Sequence, residues 1–414
     1  MRFAFASIGS LGDLHPMLAM AVAAARRGHD VVVAAAPGYA ANVARAGVEF
    51  HPLRPEIPED TESLAYYFDL KRGPRRLLRD MIFADVAATH EDLCGATKGA
   101  DLLVVGELLY TAPIVAADEK IPWLNVVLAP TSLLSATDPC VLAPAPWLHK
   151  FRHLGPWLHR LAYCFGRIEG RIWASGYYRF RLSLGLPAGA NPIFDAKHSP
   201  FGTLAMFPDF LAAPQPDWPK KTVQAGFPFY HQGEDLEVVR DFLKCGSAPV
   251  VFTLGSIVAH FEPSFYKAAA EAAQMLGRRA ILLTGRNASV PQNLPESVLA
   301  VNYAPLHSIL PHACAIVHAG GIGTCAEAIK AGLPSVVIPY SFDQPDNAAR
   351  LHRLGVAEIL PRNSITAQNL ANKLQKLLQT PTATNAASRL AYRIHPQKAL
   401  DQALDKMESV VGKA

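Results

Sequence analysis

The residues best suited to chemistry sit in a glycine turn late in the chain. His318-Ala319-Gly320-Gly321-Ile322-Gly323-Thr324 follows an apolar run and opens a helical one. Glycines there let the backbone approach an anion closely, and amide N–H groups at the positive end of a helix point at it. His318 and Thr324 add side-chain donors. Upstream, Tyr303-Ala304-Pro305 offers a flat ring that can stack on a nucleobase. Downstream, Glu327 can accept hydrogen bonds from ribose hydroxyls, and Asp343-Gln344 offers an acceptor and a donor suited to sugar hydroxyls. Each residue alone has an ordinary structural use: His318 as a core histidine, Glu327 as a solvated helix position, Asp343 as a helix N-cap. Taken in order, the set matches base, phosphates, ribose and hexose, the parts of a nucleotide sugar.

These turns need a scaffold, and the apolar runs predict one. Arg2–Ser7, Asp30–Ala36, Val48–Leu53, Asp101–Gly106 and Pro122–Leu128 are strand candidates in the first half. Pro249–Leu254, Ala280–Thr284, Val298–Tyr303, Cys314–His318 and Ser335–Tyr340 repeat the pattern in the second. Short apolar runs without polar alternation, separated by helical stretches, predict parallel sheets covered on both faces. The predicted fold class is therefore α/β, two doubly wound Rossmann-like domains facing across a cleft. The expected division is residues 1–211, a proline-rich linker over 212–229, a second domain over 230–385 and a helical segment over 386–414. An aromatic- and arginine-rich insertion, 145–186, interrupts the first domain. It has three readings: helices packed on the core, a lid over an apolar ligand, or docking on a membrane surface.

Composition narrows the function classes. The 414 residues are 50% hydrophobic and 18% charged, enough to bury a large core. Lys and Arg total 39 against 35 Asp and Glu, a net charge of +4, which does not predict a nucleic-acid binder. Six cysteines without C-x-x-C spacing predict reduced thiols, mostly in the core, and a cytoplasmic protein. No signal peptide or membrane span is expected. His149 and His153 have i,i+4 spacing without a companion carboxylate, so no metal is predicted. A nucleophile elbow, a Walker A loop and a strict G-x-G-x-x-G are lacking.

The stretch Tyr303–Asn347 resembles the donor-binding signature of nucleotide-sugar-dependent glycosyltransferases of the GT-B fold, the UDP-glycosyltransferase family. In style the chain is nearest to bacterial rhamnolipid-type rhamnosyltransferases and sterol glucosyltransferases. The resemblance extends to the Gly9–Pro16 turn, Pro130–Ala136, Asp217-Trp218-Pro219, Gly226-Phe227-Pro228 and Thr253–Ser256. It implies that Tyr303 stacks on the base, that Ala304 belongs to the same donor site, that His318, Gly321, Gly323 and Thr324 hold the diphosphate with Ser256 as a second contact, that Glu327 binds the ribose, and that Asp343 and Gln344 bind the sugar. The plant signature has tryptophan at the place of Tyr303 and glutamine at that of Leu306, so uridine and thymidine both stay open.

The same resemblance assigns the base that takes the acceptor proton. In plant relatives this is a histidine in a Gly-His-x-x-Pro turn, and Asp13 fills that place here. His15 is the second choice. Asp13 also suits a helix N-cap. Glu107 lies near the position of the aspartate that orients the plant histidine. The expected acceptor surface is Glu107, Thr131, Ser132, Trp147 and Trp173. The implied reaction is inverting transfer of a hexose, rhamnose or glucose, from a UDP- or dTDP-sugar to a hydroxyl of an apolar small molecule (lipid, sterol, polyphenol or polyketide), with no cofactor. A non-catalytic nucleotide- or lipid-binding partner and a nucleotide-sugar epimerase are the alternatives.

Overall fold

The computed structural model describes residues 1–58, 60–231, 233, 236–258, 262, 264–285, 293–379 and 381–412. Within them the chain forms two wholly parallel sheets. The first holds β1 (Arg2–Ala6), β2 (Asp30–Ala35), β3 (Glu49–Pro52), β4 (Leu102–Val105), β5 (Trp123–Val127), β6 (Thr203–Ala205) and β7 (Val223–Gln224), in the order β3-β2-β1-β4-β5-β6-β7. The second holds β8 (Val250–Thr253), β9 (Ala280–Leu283), β10 (Val298–Val301), β11 (Ala315–His318), β12 (Ser335–Val337) and β13 (Ala357–Ile359), in the order β10-β9-β8-β11-β12-β13. Phe3, Ala4, Phe5 and Ala6 of β1 are fully buried, as are Val250, Val251 and Phe252 of β8. This burial explains why these strands read as continuous apolar runs.

Three strands went unread in the sequence: β6, β7 and β13. Each has only two or three residues, too few to show a period. Part of the segment expected as linker, Val223–Gln224, pairs with β6 and extends the first sheet. At the other end, the terminal helix Pro396–Val411 returns to the first domain. Its Ala403, Leu404, Met407 and Val410 are buried in one cluster with Phe3, Phe5 and Leu14.

The strand orders determine where a ligand can bind. In each sheet the order reverses beside the first strand, between β1 and β4 and between β8 and β11. Chain connections leave on opposite sides there, which opens a crevice at the strand C-terminal ends. The turns carrying Asp13, Glu107, Ser256 and the glycine run follow β1, β4, β8 and β11 respectively. All four turns thus leave from switch points.

The two domains are joined by packing and by a buried ion network. Val127, Leu133 and Phe207 share a cluster with Cys325, Ile329, Ala348 and Leu351. Beside it, the Arg350 side chain is 2% exposed and lies 2.7 Å from Asp346 and 2.6 Å from Asp138. Arg350 also donates to the Leu211 carbonyl at 3.1 Å. Asp346 accepts from the Val141 N–H at 2.9 Å and the Thr131 hydroxyl at 3.3 Å. One guanidinium thus ties the helix Gln344–Arg353 to the 131–141 loop of the first domain. Removing one member of a buried pair leaves an uncompensated charge, a loss of about 3–5 kcal/mol. Arg350→Met is therefore expected to lower the thermal unfolding midpoint by several degrees, and an unchanged midpoint would show that the network holds nothing together.

Candidate active site

The glycine turn is built for close approach. β11 ends at His318, and the helix Ile322–Lys330 starts three residues later. Gly320 has φ +92°, and a Cβ there would lie 2.7 Å from the Val337 side chain, so only glycine fits. Its carbonyl accepts from Asn347 Nδ2 at 2.9 Å. Gly321 and Gly323 differ from it: nothing lies within 4 Å of a Cβ at either, so that face of the turn is open.

His318 is 1% exposed. The Gly320 N–H donates to its Nδ1 at 3.1 Å, which places the proton on Nε2. That Nε2 is buried and has no hydrogen-bond partner among the described residues. Burial pushes the imidazole pKa down to about 4, so the ring is a neutral donor at physiological pH. An unsatisfied buried donor beside an open helix N-terminus is an arrangement able to bind an anion.

The neighbouring donor-side residues are more varied. Thr324 is half-buried in the first turn of the helix. Glu327, a turn further on, accepts from His231 Nε2 at 3.2 Å, and His231 stacks on His307 with ring centroids 4.0 Å apart. Tyr303 is 53% exposed at the end of β10, while Ala304 is buried. Ser256 lies in the short helix Gly255–Val258, and its side chain lies outside the described residues.

Across the cleft, the helix Leu11–Arg26 begins with a capping box. Ser10, not Asp13, is the N-cap; Asp13 is the third helical residue and reaches back. Its Oδ2 accepts from the Ser10 N–H at 2.7 Å and from the Ser10 hydroxyl at 3.0 Å. The residue lines a small recess together with Ser7, Ile8, Met17, Glu107 and Leu128. A Cβ on Gly9 would lie 2.3 Å from Asp13 Oδ2, so glycine is what lets the carboxylate fold back on the turn. Burial pushes the Asp13 pKa up to about 6; the Ser10 bonds pull it down, and the Glu107 charge adds to the rise.

Two more carboxylates converge on Asp13. Glu107, after β4, accepts from the Ser132 hydroxyl and from the Leu128 N–H at 3.3 Å. Burial raises its pKa while Lys197, which donates to the Ser132 carbonyl at 2.7 Å, opposes the rise. Asp343 comes from the second domain. It follows Phe342, whose φ of +56° is strained for a residue with a side chain. The Phe342 ring packs on the core of the first domain, which pins the loop. Asn347 Nδ2 donates to Asp343 Oδ2 at 2.7 Å. Burial pushes the Asp343 pKa up to about 7, with Asp13 and Glu107 both contributing. Gln344 turns inward: its carbonyl oxygen accepts from the Tyr340 N–H at 2.8 Å and the Ser341 N–H at 3.2 Å, leaving only Nε2 for a ligand.

The acceptor-side residues do not all assemble. Glu107 and Ser132 lie together beside Asp13, whereas the Thr131 hydroxyl is engaged with Asp346 in the domain junction. Trp147 is 59% exposed and meets Phe151 edge-on; Trp173 is half-buried on the first domain's core. The aromatics of 145–186 thus divide between core and surface rather than lining one pocket. His15 points towards the Tyr230 ring, 5.8 Å away, and senses Glu327 and His231; burial lowers its pKa. Ser10, Lys197, His231 and Phe342 were missed in the sequence. Only Ser10 left a trace there, as the S-x-x-D spacing of a capping box. The expectation that the cysteines are mostly core is corrected: Cys140 and Cys325 are buried, Cys94 and Cys314 intermediate, and Cys164 and Cys245 exposed, all with free thiols. Among the described residues no helix is long and apolar enough to cross a membrane.

Comparison with known proteins agrees with this fold. Residues 3–93 match the glycosyltransferase family 28 N-terminal domain, and residues 270–399 match the erythromycin biosynthesis protein CIII-like C-terminal domain. The chain is 30% identical to O-mycaminosyltylonolide 6-deoxyallosyltransferase of Streptomyces fradiae over 426 residues, covering 97% of this chain and 96% of that one. Among solved structures, the glycosyltransferase of kitacinnamycin superposes with a TM-score of 0.75 at 24% identity, over 99% of both chains. VinC, solved in complex with dTDP, superposes with a TM-score of 0.67 at 20% identity over 100% of both. The chain belongs to the nucleotide-sugar-dependent glycosyltransferases of the GT-B fold.

His318 Nε2 supplies the most direct test of the donor side. A hydrogen bond to a charged group contributes about 1.5–3 kcal/mol. His318→Ala is expected to weaken binding of thymidine diphosphate by roughly 10- to 100-fold in calorimetry. An unchanged affinity would place the diphosphate elsewhere.

Proposed function

We propose that the enzyme transfers a hexose, with inversion at the anomeric carbon, from a nucleoside diphosphate to a hydroxyl of a polyketide-type acceptor. The observation that carries this reading is a pair of groups on opposite walls of one cleft: the Asp13 carboxylate, held through Oδ2 by Ser10, on the first domain, and His318 Nε2–H, without a partner among the described residues, on the second. Asp343 connects them, since it senses the Asp13 charge and shares Asn347 with the Gly320 carbonyl. Thymidine diphosphate is the favoured carrier because the fold neighbours VinC and SpnG were solved with it. A 6-deoxyhexose such as rhamnose is favoured over glucose by the names of the Streptomyces fradiae relative and of SpnG, a spinosyn rhamnosyltransferase. The base rests on Tyr303, and the ribose displaces His231 from Glu327.

The steps follow from where protons and charge go. The acceptor hydroxyl sits in the recess beside Asp13 and Glu107. As its oxygen bonds to the anomeric carbon, Asp13 Oδ1 takes its proton. The bond to the diphosphate breaks on the opposite face, and the charge left on the phosphate oxygen falls on His318 Nε2–H and the amides of the turn. Attack and departure on opposite faces invert the centre. A carboxylate held near pKa 6 is ionised at neutral pH yet more basic than an exposed aspartate. Asp343 binds the sugar hydroxyls, and its higher pKa makes it the first of the pair to take a proton as the pH falls.

Asp13→Asn keeps the shape and removes the base. Turnover is expected to fall by roughly 10²- to 10⁴-fold, with donor affinity nearly unchanged, and the wild-type product is expected to have the inverted anomeric configuration by NMR coupling constants. Equal turnover in the variant, or a retained configuration, would defeat the assignment.

A further inference from the structure

The helix Pro156–Trp173 has an apolar stripe that none of the described residues covers. Trp157, Leu161, Phe165, Ile168 and Ile172 are 59%, 48%, 63%, 61% and 64% exposed. At 3.6 residues per turn the five fall within an arc of about 80°. The opposite side of the same helix, with His159, Tyr163 and Gly170, is buried on its own domain. A helix apolar on both sides is one that is normally covered on both. The preceding 3₁₀ stretch adds Trp147, Phe151 and Leu154, also exposed. With side chains of this size showing on the order of 100 Å² each, the eight present roughly 800 Å², more than the largest apolar patch of a typical monomer and about what one partner gives to a standard interface.

The spacing of the stripe identifies the partner. Four of its five positions are symmetric about the midpoint between Cys164 and Phe165: Trp157 and Ile172 lie equally far on either side, and so do Leu161 and Ile168, while Phe165 is matched by Cys164. A stripe with its outer and inner positions paired about one midpoint can lie against an antiparallel copy of itself. Under a two-fold axis through that midpoint, Trp157 of one copy is level with Ile172 of the second, and Leu161 with Ile168. The 4-3-4 steps from Leu161 to Ile172 are those of a helix–helix seam, and such a contact closes as a symmetric dimer. We propose that this glycosyltransferase is a two-fold dimer joined through the helix Pro156–Trp173, with the exposed Cys164 beside the axis.

The flanking charges distinguish this occupant from others. Exposed Arg160 and Arg171 lie on the same flank of the stripe, and the antiparallel arrangement sets that flank against its own copy. Like charges then face each other across the seam, so added salt tightens the dimer by screening. An anionic lipid surface or an acidic partner protein would be attracted by the same arginines and released by salt.

The test uses the full chain. Sedimentation equilibrium at micromolar concentration is expected to give twice the 44.7 kDa chain mass, with association strengthened by added sodium chloride. Mild oxidation with diamide is expected to give a covalent dimer that persists in Cys245→Ser and is lost in Cys164→Ser. The double variant Leu161→Glu, Ile168→Glu is expected to be monomeric with an unchanged circular dichroism spectrum; the Cys164 cross-link reads the interface in the wild-type chain should that variant misfold. A monomer at these concentrations, a dimer loosened by salt, a cross-link independent of Cys164, or a monomer that floats with phosphatidylglycerol vesicles would each overturn the proposal.

Discussion

Asp13 keeps a half-buried carboxylate in the cleft, and the turn before it serves to make that tolerable. A lone buried charge would simply stay protonated. Here the Ser10 N–H and hydroxyl hold one oxygen, and the start of a helix places positive backbone ends nearby. Burial still wins by a moderate margin, and the pKa settles near 6. Full solvation would leave a weaker base, and full burial without Ser10 would leave a protonated acid unable to accept. Gly9 is part of the same arrangement, since any side chain there would collide with the carboxylate it borders.

The second domain solves the complementary problem. At the glycine turn it offers neutral donors. His318 is neutral, its Nε2–H has no partner among the described residues, and the turn beyond it is open where Gly321 and Gly323 carry no Cβ. A neutral donor set gains most when negative charge arrives, which suits a leaving diphosphate better than a resting ligand. Asn347 joins this turn to Asp343, and the strained Phe342 fixes Asp343 against the first domain. The two walls are held in register by Arg350, whose partners come from both domains. Motion that opens the cleft must therefore either break that network or pivot about it.

The α/β class and the strands flanking the site were legible because buried parallel strands leave unbroken apolar runs, as at Asp30–Ala35 and Val250–Thr253. β6, β7 and β13 were not, because two or three residues carry no period. In the site, residue type at a turn was legible and direction was not. Asp13 and Asp343 were both named from the sequence, but their raised pKa values arise chiefly from burial in the folded chain, with neighbouring carboxylates adding to it, which no local pattern encodes. Gln344 spends its carbonyl on its own loop, and Thr131 spends its hydroxyl on Asp346. Lys197 sits in an unremarkable stretch and matters only because the fold brings it to Ser132 and Glu107. The aromatic segment was visible as an anomaly, yet its division into an inward face at Tyr163 and an outward face at Phe165 needed the helix to be placed.

The central claim is that Asp13 is a desolvated carboxylate poised to take a proton. The direct measurement is a carboxyl carbon-13 NMR titration of the aspartate-labelled enzyme, with the Asp13 signal identified by its loss in Asp13→Asn. A midpoint near 6, clearly above the ordinary aspartate value of about 4, is the predicted result. A midpoint in the ordinary range would mean that water reaches Asp13 freely, and would contradict the account.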